Sequence, residues 1–343
     1  MTAARDPIAD LKRIAFLLEA MQEPGFRVRV FRSAAATLAG IGIEEIQELA
    51  ASGRLRELPG IGEVTERTIL ESLRGEAPVY MRRLETTEGK PLAQGAAELR
   101  SALKGDLHSH TEASDGHATM REMAESAIEL GHQYLVISDH SQGLTIANGL
   151  STKRLMLQLD EIERLNAELA PFRVLTGIEV DINEDGSLDQ SPEVLSRLDV
   201  VVGSVHSLLR MESDKMTRRM VTALADPHLD VLGHCTGRMK SKRRDRPEST
   251  FEPDIVFAAA ARFDKAIEIN CLPERLDPPK RLLRLAVESG CRVSIDSDAH
   301  YPGQLAWVRV GCERAFLCGV VPEMVVNAMR ADDLLAWSRS HEA

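Results

Sequence analysis

At 343 residues, 43 % of them apolar and 28 % charged, the chain can bury two cores or one barrel-sized core with an appendage, which excludes a disordered or fibrous protein. Its formal charge of −11 excludes a broadly basic nucleic-acid coat, so any polyanion contact must come from local patches. Five cysteines without C-x-x-C spacing exclude a zinc ribbon or a disulfide framework, and no run nears the ~20 apolar residues of a membrane span, so a soluble cytoplasmic protein is expected.

The first 84 residues read as a small all-α domain. IADLKRIAFLLEAM, VRVFRSAAATLAG, IEEIQELAASG and EVTERTILESLRG each carry apolar residues at helical spacing. Inside this segment, ELPGIGEVTERTIL (57–70) sets a Pro59-Gly60-Ile61-Gly62 turn before a helix. Such a turn presents backbone N–H groups, and the helix N-terminus adds positive potential, so Gly60 and Gly62 are candidates for docking a phosphate in a helix-hairpin-helix. An ordinary turn between packed helices has the same text.

Residues 85–104, ETTEGKPLAQGAAELRSALK, lack a long apolar pattern and contain Gly89, Pro91 and Gly95, as a linker would. From residue 105 to 343 the pattern changes. GDLHSH, YLVISDH, FRVLTGIEVD, DVVVGSVHS, DVLGH, KAIEIN and RVSIDSDAH alternate with helical stretches, giving about seven βα units and favouring a closed parallel barrel over an open sheet.

Chemistry-bearing residues fall at the ends of these strands. Six of the ten histidines (His108, His110, His140, His206, His234, His300) follow a predicted strand, joined by Glu179, Asp298 and, in the first loop, Asp115. Barrel enzymes place their chemistry at that end. Imidazoles mixed with carboxylates suit Zn²⁺, Mn²⁺ or Fe, and nine candidates exceed what one tetrahedral ion needs, so two or three divalent ions are expected. His117, His132, His228 and His341 are read as structural.

Together, HSHTEASDG, SDH, the Glu of GIEVD, the His of GSVHS, GHCTG and SDAH resemble the polymerase-and-histidinol-phosphatase (PHP) domain over about residues 104–330. The resemblance implies a distorted seven-stranded TIM-like (βα) barrel with a three-metal phosphoesterase site. Its ligands would be His108, His110, Asp115, His140, Glu179, His206, His234, Asp298 and His300. Glu179 would bridge two ions, Asp298 with the first His pair would hold one of them, and the nucleophile would be a metal-bound hydroxide rather than a side chain.

GFRVRVFRSAAATLAGI followed by LRELPGIG resembles the N-terminal 8-kDa domain of family X DNA polymerases, where Arg27, Arg29 and Arg32 would contact phosphates. Only the linker separates the two domains, too little for a polymerase palm between them. The hairpin's second helix offers Arg67 and no lysine for a lyase reaction. GRMKSKRRDR (237–246), directly after His234, adds a basic loop with Arg238, Lys242, Arg243 and Arg244 as candidate phosphate contacts. The expectation is a metal-dependent DNA phosphoesterase of repair, processing 3′ ends as a 3′–5′ exonuclease, 3′-phosphatase or abasic-site endonuclease through sequence-independent backbone contacts. The rival readings are a small-molecule phosphatase of the histidinol-phosphatase type and a non-catalytic DNA-binding accessory factor.

Overall fold

The computed structural model describes residues 5–87, 91–240 and 245–342. They divide into two compact units between Pro91 and Leu92.

Among the described residues the first unit holds five α-helices: α1 (Pro7–Ala20), α2 (Gly25–Ala39), α3 (Ile43–Ala51), α4 (Glu63–Leu73) and α5 (Val79–Thr87). Asp6 caps α1 by accepting the Ile8 N–H at 2.8 Å, with Pro7 opening the helix. The helical stripe of Leu11, Ile14 and Leu18 is buried, as are Phe31, Ala35 and Leu38 of α2. Periodicity anticipates the first four helices; α5 is short, burying only Met81 and Leu84.

Between α3 and α4 the chain turns at the glycine hairpin. Gly60 has φ +76°, and a Cβ there would sit 2.7 Å from Ser33 Oγ, so conformation and packing both require glycine. Gly62 is extended (φ −111°) and stands just before α4. Its N–H donates to Thr65 Oγ1 at 2.9 Å, and a Cβ added there would meet nothing within 4 Å.

The second unit begins with α6 (Gln94–Ala102), a helix inside the segment expected to be a linker. Gly95 is a packing position there: a Cβ would lie 2.2 Å from the Phe316 ring. Seven strands follow: β1 (Gly105–Asp106), β2 (Tyr134–Ile137), β3 (Arg173–Asp181), β4 (Val200–Ser204), β5 (Val231–Leu232), β6 (Ala266–Asn270) and β7 (Arg292–Asp296). All neighbours pair parallel in chain order, and a bridge between Ser109 and Ala299 joins the two outer strands past their ends, leaving a nearly closed barrel.

Helices α7 (Met120–Glu129), α8 (Thr152–Leu169), α9 (Pro192–Leu195), α10 (Ser213–Leu224), α11 (Pro253–Arg262) and α12 (Lys280–Glu288) occupy the successive crossovers. Helices α13 (Val308–Leu317) and α14 (Ala331–Arg339) follow β7. Covered on both faces, strands such as Tyr134–Ile137 and Val200–Val202 are buried at every position, which is why they read as unbroken apolar runs.

One local expectation changes. The strand read in GDLHSH is shorter than its pattern suggests: β1 stops at Asp106, so His108 and His110 lie beyond it. The Leu107 N–H is taken by the Asp296 carboxylate (2.9 Å), which ends the ladder and bends the chain. Among the described residues no helix is long and apolar enough to cross a membrane.

Candidate metal centre

His108, His206, His234 and Asp298 each stand two residues past the last residue of their strand, so successive strands deliver side chains to one rim. His140 follows β2, and its backbone bridges that of Glu179 near the end of β3. His234 and Asp298 have φ of +20° and +55°, values that side-chain-bearing residues adopt only where surroundings enforce them.

The structure brings all nine sequence-derived candidates together around Glu179. Oε2 of Glu179 lies 3.3 Å from His108 Nε2, 3.7 Å from His110 Nε2 and 2.7 Å from His140 Nδ1. Oε1 lies 2.9 Å from His234 Nε2 and 3.3 Å from His206 Nε2. Asp298 Oδ1 is 3.3 Å from His110 Nε2 and 3.9 Å from His108 Nε2. At the more open edge, Asp115 Oδ1 is 3.4 Å from His300 Nε2 and 3.6 Å from His140 Nε2.

Several rings are held from behind. His108 Nδ1 faces Glu268 Oε1 at 2.5 Å, His206 Nδ1 faces Asp181 at 3.0 Å, and His300 Nδ1 donates to the Asp298 carbonyl at 2.9 Å. A carboxylate or carbonyl on one ring nitrogen fixes the tautomer and turns the other lone pair inward, as in metal-binding histidines. Correspondingly, His108 Nε2, both His110 nitrogens, His140 Nδ1, His206 Nε2, His234 Nδ1 and Glu179 Oε2 are buried without a hydrogen-bond partner among the described residues. Buried polar atoms rarely go unpaired, and a divalent cation would satisfy these.

Four groupings have donor atoms mutually within 4.8 Å: His110–Asp115–His140–His300, His108–His234–Asp298, His108–His110–Glu179 and His140–Glu179–His206. Burial opposes charge on Glu179, but the facing imidazoles of His140, His108 and His206 hold its carboxyl well below the usual range. Asp298 is likewise held low by His108 and His110 against burial. Burial also opposes charge on His140, yet Glu179 and Asp115 raise it to about 10. Burial, reinforced by His300 and His140, lowers His110 to about 4.

Some neighbours were not anticipated. Glu268 on β6 and Asp181 at the end of β3 are visible in the sequence only as acids at inward or terminal positions of apolar strands. Arg275 Nε lies 3.2 Å from Asp298 Oδ2 with its side chain 12 % exposed; a lone arginine in a loop carries no signal. Asp139 accepts Thr111 N–H at 2.7 Å and Gln158 Nε2 at 2.6 Å, shaping the first loop.

The candidates for DNA contact fare differently. Arg32 is engaged by Glu19 at 2.6 and 2.8 Å, and Arg27 by Glu23 at 2.5 Å and the Tyr80 hydroxyl at 2.9 Å; Arg29 is exposed. Gly60 and Gly62 are exposed at the hairpin. Arg238 donates to the Arg275 carbonyl at 2.7 Å, which ties down the start of the basic loop. Lys242, Arg243 and Arg244 lie outside the described residues.

Parallel barrel and convergent imidazole and carboxylate donors together define a candidate polynuclear metal site at one rim of the barrel. Residues 106–270 match the PHP domain and residues 3–77 the helix-hairpin-helix domain, so the chain joins these two domains. It is 38 % identical over 242 residues to the DNA polymerase/3′–5′ exonuclease PolX of Bacillus subtilis, a match covering 70 % of this chain but 42 % of that protein. The chain thus spans less than half of that relative. It is 26 % identical to a probable phosphatase of Thermoanaerobacter sp., with 65 % of this chain and 89 % of that protein covered. Among solved structures, histidinol phosphate phosphatase of Lactococcus lactis is 18 % identical, with a TM-score of 0.44 and coverage of 63 % of this chain and 94 % of that one.

Proposed function

We propose that this protein is a metal-dependent DNA phosphoesterase that processes 3′ ends, as a 3′–5′ exonuclease, 3′-phosphatase or abasic-site endonuclease. The observation that carries the reading is the ring of inward-turned, unpaired imidazole nitrogens around Glu179, in a chain that also contains a helix-hairpin-helix domain. In this reading the groups His108–His234–Asp298, His108–His110–Glu179, His140–Glu179–His206 and His110–Asp115–His140–His300, which share several donors, would hold two or three ions between them.

When bound, such ions supply Lewis acidity and neutralise charge on a phosphate and its attacking water. The protein's part is to fix the donors, through Glu268, Asp181 and the Asp298 carbonyl, and to keep the inner donors buried while the Asp115–His300 edge stays open to substrate. The hairpin at Gly60–Gly62 and the first turn of α4 would engage the backbone phosphates of DNA without reading sequence. Arg29 and the basic loop would add charge, whereas Arg27 and Arg32 are committed to Glu23 and Glu19.

Manganese-loaded full-length protein, incubated with end-labelled duplexes carrying 3′-OH, 3′-phosphate or abasic sites, is expected to shorten, dephosphorylate or nick at least one of them. Product ends on a gel separate the three activities, and a panel left untouched overturns the reading. The match to probable phosphatases, nearly full-length on their side, supports a second reading, a small-molecule phosphatase. A kcat/KM on histidinol phosphate well above that on every oligonucleotide would select it.

A further inference from the structure

Glu268 sits beneath the proposed centre, fully buried on β6. Its Oε1 faces His108 Nδ1 at 2.5 Å; its Oε2 accepts the His234 N–H at 2.6 Å and Asn270 Nδ2 at 3.2 Å. Asn270 Nδ2 also donates to Asp298 Oδ2 at 3.0 Å. One carboxylate therefore reaches a ring, a backbone and, through an amide, a second carboxylate. The three residues reached, His108, His234 and Asp298, form one of the donor groups close enough to hold an ion.

We propose that Glu268 is the positioning residue that makes the His108–His234–Asp298 group competent to bind a cation, an inference resting on the metal reading above. The argument is one of donors and acceptors. Only a carboxylate accepts at both ends, taking Nδ1–H of His108 on one oxygen and N–H of His234 on the other. With Nδ1 protonated, Nε2 of His108 keeps its lone pair toward Glu179 and Asp298. The same contact with the His234 N–H holds a residue at φ +20°, which the backbone alone does not favour.

Glu268→Gln keeps the shape and removes this symmetry. If the amide oxygen stays on the His234 N–H, its NH₂ faces His108 Nδ1 and forces the proton onto Nε2, cancelling the inward lone pair. If the amide is flipped, its NH₂ opposes the His234 N–H and the Asn270 NH₂. Neither orientation satisfies the site. The donors Asp115, His140 and His300 make no hydrogen bond to Glu268 among the described residues and should be spared.

The test counts ions rather than turnover. Mn²⁺ is titrated into apo wild-type and Glu268→Gln full-length protein, free Mn²⁺ is followed by electron paramagnetic resonance, and folding is checked by circular dichroism and Tm. Loss of outer hydrogen-bond partners typically costs 10- to 100-fold in metal affinity. The expected result is one class of site weakened by about that factor while at least one other keeps wild-type affinity. Glu268→Asp retains two acceptors on a shorter arm and is expected to recover part of the loss; it also decides the matter should the Gln variant fail to fold, since unchanged binding in the Asp variant would overturn the proposal. Wild-type stoichiometry and affinities in Glu268→Gln overturn it alone. A wild-type protein that binds no Mn²⁺ or Zn²⁺ overturns the metal reading, and this inference with it.

Discussion

His132 shows what burial does to an imidazole whose nitrogens meet no hydrogen-bonding group of the described residues. It follows Gly131 (φ +82°) at the end of α7, where its N–H bonds the Ala127 carbonyl at 3.0 Å and Gly131 bonds Ile128 at 2.9 Å, the paired closure that ends many helices. Its ring nitrogens are buried and without partners among the described residues. Burial, with the nearby Arg100 charge, pushes it down to about 3. An unfolded histidine titrates near 6.5, so between those values the unfolded chain takes up a proton that the folded chain refuses. Stability from this residue is complete above about pH 6.5 and falls as pH drops toward 3, by about 2 kcal/mol at pH 5. Leu accommodates the apolar contact that such a position favours. His132→Leu is expected to flatten the acid limb, gaining on wild type between pH 7 and pH 5 in parallel urea melts; identical pH profiles would contradict this. His132 also marks the boundary of what sequence says about single residues. Eight of the nine clustered candidates were legible because they fall at or just past the end of a strand, with Asp115 in the first loop beside them, whereas Glu268 was not, since one acid in KAIEIN reads equally as an ion-pair partner. Arg27's tie to Glu23 is four residues away and readable; Arg32's tie to Glu19 spans thirteen and is not.

At the level of elements, local pattern carried the strands and long helices and failed where packing overrides it. Covered parallel strands advertise themselves as apolar runs, but β1 keeps only Gly105 and Asp106 because side chains replace its ladder. Gly95 looked like a linker glycine, yet α6 runs through it because the Phe316 ring occupies the place of a side chain. The hairpin before α4 yields a sharper experiment for the same kind of reason. Gly60 is required by its φ and by Ser33, so changing it tests folding; Gly62 faces open space with an ordinary φ. Gly62→Val should therefore leave Tm within a few degrees of wild type. It should weaken duplex binding by about tenfold, because the branched side chain stands where a backbone phosphate would approach. Hydrolysis of p-nitrophenyl phosphate should be unaffected. Equal DNA affinity in fluorescence anisotropy would remove the hairpin from the proposed interface.

On the scale of the whole molecule, the seam between β1 and β7 is where the barrel is weakest in backbone pairing. Across it run the Asp296 carboxylate to Leu107 N–H (2.9 Å), the Asp106 carboxylate to Ser297 N–H (3.1 Å) and His110 N–H to the Ala299 carbonyl (2.8 Å). Asn327 reaches over it to the Gly105 and Ile295 carbonyls at 3.0 and 2.8 Å. His108 and His110 lie on one side, Asp298 and His300 on the other, so an ion shared between them would be a clasp on an otherwise open ring. Binding that favours the closed ring stabilises it by mass action. Chelation is then expected to speed amide exchange in peptides covering 105–111 and 292–300 by at least tenfold, with little change in 173–181 and 200–204, as read by hydrogen–deuterium exchange mass spectrometry. Equal protection at the seam with and without chelator would detach the clasp from the ring. If the seam does loosen, ion supply sets how long the protein survives proteases, and a metal-starved cell would clear the empty protein before the loaded one.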